Sequence, residues 1–574
     1  MDGVVGIGTR GLWAHEGKIL ILIDGQQIND LLFGITSFGN HFPIDQIKKI
    51  EVVRGPGSAI YGGYAEYGVI NIITKSALDN PGMTISATAG QMQNVMGRRN
   101  INLSAGKQNK DFQFSLGIFL GSGNRSDQTF NDFYGNSYDM SKNSQLNNTH
   151  TNLGLSYKGF SARWIMDLYN TTSQDGYDNI YPSQYPVNFT SHFTELKYVA
   201  EIGKHKKLTI TPKFNMKYQR PWETVWELDS IFPDYSKTTT RYTGNVTASY
   251  NLTRKINFIA GAEVFADKAI DNVDSSYFSN GEKEVSYLNQ AYFFQGLAKT
   301  RYVNIIAGAR LDNHNVYGSA FVPRIGLTKK IKKTHFKILY SNSFRAPTIE
   351  NINLSTEIKP ELTQVLELEA GYQLTRKSLL TINFFDITTK DPIVYFFDDS
   401  LQTDNYKNFG GAGSQGLELE YRMRDKWGYL IFNYSYYSVA GKNKIADYEV
   451  PENTAALLAF PNHKANLSLY IKLGKYFSVS PSLSYIGDRY AYTSVDTAGN
   501  SVIEKLPGLL LANLYFNITN LKRGLTIGLG CYDIVDSKYT FIQPYNGYHA
   551  PLPGPSRELL FKITYALKPA PKNQ

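Results

Sequence analysis

From about Gly82 to Leu567 the chain alternates apolar with small or polar residues at period two, many times over, and this rhythm restricts the fold more than any other feature. Phe112, Phe114, Leu116, Ile118 and Leu120 share one face of an extended segment, with Gln113, Ser115 and Gly117 opposite. Ala465, Leu467, Leu469 and Ile471 alternate with Asn466, Ser468 and Tyr470, and Leu525, Ile527 and Leu529 with Thr526, Gly528 and Gly530. Each segment reads as a two-faced strand. A soluble sandwich would alternate in the same way, so residue size and type decide between the two. The second faces carry Gly, Ser, Thr, Asn and Gln, and the chain holds 41 Tyr, 32 Phe and 48 Gly with only 19% charged residues. That composition suits a wide wet lumen with aromatic girdles at lipid interfaces. Short turns (Asn109-Lys110-Asp111, Thr375-Arg376-Lys377) take turns with long polar loops such as 121–151, as on the two rims of a membrane barrel.

The expected fold class is therefore all-β, a large antiparallel transmembrane β-barrel. Roughly 490 residues provide for about 22 strands, the size class whose lumen needs a plug. A helical span is excluded, because no run of 18 apolar residues exists; the most apolar segment, Lys18 to Asp24, is strand-sized. The net charge of +9 is scattered over loops and rims, and no basic helix or reading motif points to nucleic acid. The single Cys531 forms no internal disulfide.

Before the barrel lies a run of another kind. Glu51-Val52-Val53 reads as a strand end, Arg54-Gly55-Pro56-Gly57 as a tight turn, Tyr61-Gly62-Gly63 as a glycine-rich loop, and Val69-Ile70-Asn71-Ile72-Ile73-Thr74 as a second strand. The order and spacing resemble the C-terminal half of the plug domain of TonB-dependent outer-membrane receptors. Ile23-Asp24-Gly25, Ser343-Phe344-Arg345-Ala346-Pro347, Lys359-Pro360-Glu361 with Glu369-Ala370-Gly371, and Gly416-Leu417-Glu418-Leu419-Glu420 extend the resemblance from Gly6 to Leu567. It implies a plug over 1–80, with Gly55, Pro56, Tyr61, Gly62 and Gly68 in its loop, a barrel over 81–567 and a tail over 568–574. The final strand Leu559 to Leu567 is similar to the terminal aromatic strand of outer-membrane proteins.

Alternation adds a site. In Leu366-Glu367-Leu368-Glu369 and Leu417-Glu418-Leu419-Glu420 the leucines claim the lipid face, so the four carboxylates enter the lumen. Arg10 and Arg54 match the plug arginines that face barrel glutamates in the family. The expectation is a plug–barrel cluster in which Arg10 and Arg54 pair with Glu369 and with Glu418 or Glu420.

The resemblance further implies uptake of a scarce metal chelate, a siderophore foremost, or a vitamin such as cobalamin, with the TonB complex, an extracellular small molecule and outer-membrane lipid as partners. The family's N-terminal plug half, its TonB box and a signal peptide have no counterpart before Met1, so the reading expects a truncated or mis-started chain. The alternative it leaves open is a passive or receptor-only barrel. Candidate ligand contacts are Tyr177, Tyr181, Tyr185, Trp222 and Trp226, on aromatic-rich loops. His314 reads as structural. No histidine lies between Phe344 and Glu369, where haem receptors of the family carry one shortly after the F-R-A-P box, and no metal spacing, cofactor motif or nucleophile–base pair is present, so neither a cofactor nor an enzyme is expected.

Overall fold

A computed structural model describes residues 6–175, 180–203, 205–224, 235–273, 277–398, 403–451, 453–521, 524–545 and 549–567. Gly82–Gln91 pairs antiparallel with both Met96–Gln108 and Glu558–Leu567, which closes a barrel of 22 strands, every strand beside its neighbour in sequence. Ala200–Ile202 continues Ile180–Tyr198 past Val199 against the same partner strand.

Alternation sets the two faces of the wall. Ile85, Ile101, Leu120, Leu155, Leu366, Leu368, Leu483 and Phe561 are exposed on the outer face, whereas Asn102, Ser104, Glu361, Thr363 and Glu367 are buried in the lumen. Phe114, Leu467 and Ile527 pair with Leu155, Leu483 and Ile563, all exposed, and share that outer face. The lumen is not uniformly polar. Ile165, Phe193, Val365, Phe385 and Ile387 point inward and bury against the plug, because a lumen filled with protein is an apolar environment wherever the two surfaces meet.

The plug contains a four-stranded sheet in the order Gln26–Gln27, Ile19–Ile23, Gly68–Thr74, Ile47–Arg54. Ile19–Ile23 lies parallel to Gly68–Thr74, with Ile21 opposite Ile70, and is buried along its whole length. Burial on both faces explains why that strand is a continuous apolar run rather than an alternating one. Its core of Leu12, Ile19, Ile21, Ile23 and Ile72 continues into Tyr437, Tyr448 and Leu457 of the wall and an extracellular loop, so that loop is packed onto the plug. Among the described residues no helix is long and apolar enough to cross a membrane.

Candidate functional site

The plug's first hairpin, Gly8–Thr9 with Leu12–Trp13, turns through Arg10 and Gly11, both at positive φ (51° and 78°). This turn drives the Arg10 side chain into the wall. Its Nε and Nη2 donate to the two carboxylate oxygens of Glu418 at 2.9 and 3.1 Å, and Nη1 donates to Glu367 Oε1 at 2.8 Å. Phe385 lies 4.4 Å beneath the guanidinium, and Ser414 donates to the Arg10 carbonyl at 2.7 Å. A buried, bidentate guanidinium with a second carboxylate and an aromatic floor is oriented as well as held.

The expected pairing needs correction at two of its members. Arg54, half-exposed, keeps an ion pair with Glu418 at 3.7 Å, longer than a hydrogen bond and looser than that of Arg10. Glu369 faces His335 at 3.2 Å and Lys337 at 3.7 Å rather than a plug arginine. Glu420 binds Arg422 of its own strand at 2.7 Å. Residues two apart on a strand share a face but differ by about 6.6 Å along it, and Arg10 reaches only the Glu367 and Glu418 level. The loop residues sit against the wall and within the plug: a Cβ on Gly55 would lie 3.0 Å from Glu367 Oε1, one on Gly62 3.1 Å from Arg310, and one on Gly68 2.9 Å from the Val53 carbonyl. Pro56 is buried, while Tyr61 stays largely exposed.

A second cluster, not assigned from sequence, lies nearer the extracellular rim. Arg345 is fully buried; its Nη1 donates to Glu361 at 2.7 Å, Nη2 to Asn351 at 3.0 Å, and Nε to the Glu16 carbonyl at 2.7 Å. Lys18 reaches Glu361 at 3.2 Å. Beside them Glu66 is buried, with one carboxylate oxygen taking the Thr363 hydroxyl and the other without a partner. Burial, then the proximity of Glu361, pushes the Glu66 carboxyl up to about 8, the neutral form being the one a dry site tolerates. The signal available in sequence was the F-R-A-P and K-P-E strings; what was missing was that Glu16 and Lys18 of the plug share their depth. Further plug–wall pairs are Asp24 with Arg163 at 2.5 Å, His41 with Asp167 at 2.5 Å and Asp45 with Lys562; Asp24 lay in a quoted string without an assigned role, and the others had no distinguishing pattern.

One sector differs. Between plug residues Leu20, Leu22, Gln26 and Gln27 and the wall strands Leu208–Glu223 to Asn304–His314 lies a cavity of about 360 Å³. The wall charges here satisfy each other: Arg241 binds Asp267 at 2.6 Å, and Arg310 binds Asp312 at 2.7 Å and Glu263 at 2.8 Å. Hydrogen bonds from Lys217, Gln219 and Arg310 to the plug end on the carbonyls of Asn29, Ile28 and Ile60. Gln26 Nε2, Gln27 Nε2 and Asn215 Oδ1 are buried without partners. Such a polar seam has the donors and room to hold water.

On the extracellular side a chamber of about 190 Å³ lies between plug residues Gly6, Gly8 and Trp13 and loop residues that include Phe460, Arg489, Tyr492 and Tyr545. The ligand-contact candidates lie elsewhere. Trp222 meets Phe189 edge-on at 5.9 Å, and Tyr185 pairs in register with Ser173. Tyr177 and Trp226 lie outside the described residues, as does the Tyr181 side chain. His314 stacks on Tyr317 at 3.9 Å inside the aromatic wall. No group of metal-binding side chains occurs among the described residues.

Residues 91–534 match the family model for a TonB dependent receptor-like β-barrel, and residues 2–69 match that for a TonB-dependent receptor plug domain. Curated relatives include the vitamin B12 transporters BtuB of Vibrio vulnificus (23% identical over 62% of this chain) and Vibrio cholerae (24% over 70%). The chain spans 56% and 63% of the length of those relatives. Among solved structures, a ferric enterobactin receptor (PfeA) variant of Pseudomonas aeruginosa superposes with TM-score 0.78 at 16% identity, over 99% of this chain and 94% of that one. The siderophore receptor PirA of Acinetobacter baumannii gives TM-score 0.79 at 15% identity, over 99% and 95%. At such identities the likeness establishes the fold.

Proposed function

This chain belongs to the TonB-dependent receptor family, and on that premise we propose that it captures a scarce metal chelate, a ferric siderophore foremost, or a vitamin such as cobalamin, for TonB-driven uptake. It is a β-barrel of the outer membrane. The observation that carries the reading is the plug: it sits in the lumen and is fastened to the wall through Arg10 on Glu418 and Arg345 on Glu16, so on this reading passage requires that it be displaced. A ligand can shift that equilibrium only by touching the plug, and the chamber beside Trp13 and Gly8 provides that touch. Arg489, whose Nε is buried without a partner, lies there, and an unengaged guanidinium donor fits an anionic chelate better than a neutral corrinoid. The energy source on this reading is the TonB complex. The family and its relatives are receptors and transporters, and the proposed action makes and breaks no covalent bond.

The test is uptake by cells that express the chain as their sole such receptor, offered ferric siderophores, cobalamin and haem in turn. The reading expects saturable binding of one class, with accumulation lost when TonB is deleted. Binding without accumulation in either background would leave a receptor-only barrel.

A further inference from the structure

The lipid-facing wall carries a feature that uptake does not use. Cross-strand register places Arg99, Ser122, Asn147, Asn170 and Asn188 on one rung that crosses five consecutive strands, each residue opposite the next. One rung lower, two residues toward the periplasm, stand Ala87, Ile101, Leu120, Thr149 and Leu168. The two rungs enclose a groove of about 690 Å³, deepened by the small side chains of Ala87 and Ala89 and bounded by Phe561 and Ile563.

Its height is set by counting. Arg99 stands nine residues above the strand end at Gln108, and Asn147 and Asn170 stand ten above Tyr157 and Phe160. At about 2.5 Å per residue of a tilted strand this is about 25 Å, the upper edge of the apolar band. The groove thus straddles the outer-leaflet interface, polar above and apolar below. Among the described residues Arg99 has no carboxylate within ion-pair distance; its one side-chain partner is the Ser122 hydroxyl at 3.3 Å. The Asn170 amide donates to Asn188 at 2.6 Å. Glu223, which continues the rung beyond Asn188, is engaged by Arg220 and Ser236. A guanidinium with no carboxylate partner beside amide donors, over a groove lined by Ala87, Leu120 and Leu168, matches an anionic head on an apolar tail.

We propose that this groove is a binding site for a phosphorylated, acylated glycolipid of the outer leaflet. A phosphate lies against Arg99 and the asparagine rung, and an acyl chain lies along the Ala87–Leu120 rung. The site depends on the barrel residing in the outer membrane, and not on what the receptor transports.

Native mass spectrometry of the purified protein, titrated with hexa-acyl lipid A 1,4′-bisphosphate, its dephosphorylated form and phosphatidylglycerol, tests this. Bisphosphorylated lipid A should be retained about tenfold better than the dephosphorylated form, and Arg99→Ala should remove that preference. Ala89→Trp, which fills the groove and keeps the charge, should reduce retention likewise. Lys268→Ala, at an exposed cation already paired with Glu284, should change nothing. Equal retention of the phosphorylated and dephosphorylated forms overturns the proposal, as does equal loss in Lys268→Ala. Preference for phosphatidylglycerol overturns the assignment to a glycolipid, and a dimer that Arg99→Ala dissolves replaces it with a second copy of this chain.

Discussion

The wall from Thr334 to Asp425 and the wall from Leu208 to His314 face the same plug and treat it in opposite ways. The first sends Glu361, Glu367, Glu418 and Arg345 across the boundary to meet charges on the plug. The second pairs its charges mainly within itself, meets the plug through hydrogen bonds to backbone carbonyls and an apolar contact of Leu31 and Leu32 with Ala269 and Phe278, and leaves a polar cavity beside them. A plug fastened on one side and separated by a seam on the other has a built-in direction of least resistance. Water can enter and polar groups can exchange partners at the seam, whereas parting the other side strands buried charge.

Breaking the fastened side at its driest point should have the largest effect. Arg345→Ala leaves one buried cation, Lys18, to serve two carboxylates, Glu361 and Glu16, and should weaken plug seating by about 3–5 kcal/mol. Urea unfolding of the plug, with the barrel's heat-modifiable gel mobility unchanged, would register it. Arg10→Ala should follow at about 2–3 kcal/mol, since Glu367 keeps Lys337 at 2.8 Å. In the same assay Arg54→Ala should lose less than about 0.5 kcal/mol, because that side chain is half in solvent. Arg54→Ala matching Arg10→Ala in small-solute leakage from liposomes would show that the cluster is wrongly drawn.

A pH titration sharpens the contrast by another route. Glu66 holds its proton in the folded plug well above the range of an unfolded carboxyl. Its contribution is therefore full at acid pH and is lost as pH rises toward about 8, with a slope of at most about 1.4 kcal/mol per unit. Glu66→Gln should flatten that slope. The smallest effect belongs to the seam: Gln26→Ala removes a buried amide nitrogen that has no partner, and should change stability by less than about 1 kcal/mol.

Much of this was legible in the sequence, for a reason that also marks the limit. Alternation with period two places a side chain on one face or the other, so the outer leucines and the lumenal Glu367, Glu369, Glu418 and Glu420 followed from the L-E-L-E strings. Depth along the lumen depends on the register between two separately folding parts, and nothing local encodes it. The reading therefore found the right face and paired Arg10 with one true partner, Glu418, while missing Glu367 two residues from Glu369. Arg345 and Glu361 lay in quoted motifs yet had no assigned role, since their partners Glu16 and Lys18 look like ordinary surface charges. Asp24 likewise lay in a quoted string without an assigned role, and Asp45 and His41 were invisible for the same reason. The apolar lumenal residues Val365 and Phe385 went unread because alternation cannot tell a wet lumen from one filled with protein.

Thiol accessibility separates the two walls most directly. In a Cys531→Ser background, Asn215→Cys places a thiol at the seam, and Ser414→Cys places one where the wall hydroxyl meets the Arg10 carbonyl. Both positions lie on lumen-facing strands. With a small water-soluble reagent and protein in membranes, Asn215→Cys should react at close to the rate of an exposed thiol, and Ser414→Cys about a hundredfold more slowly, limited by opening of the fastened side. Equal rates at the two positions would contradict the account.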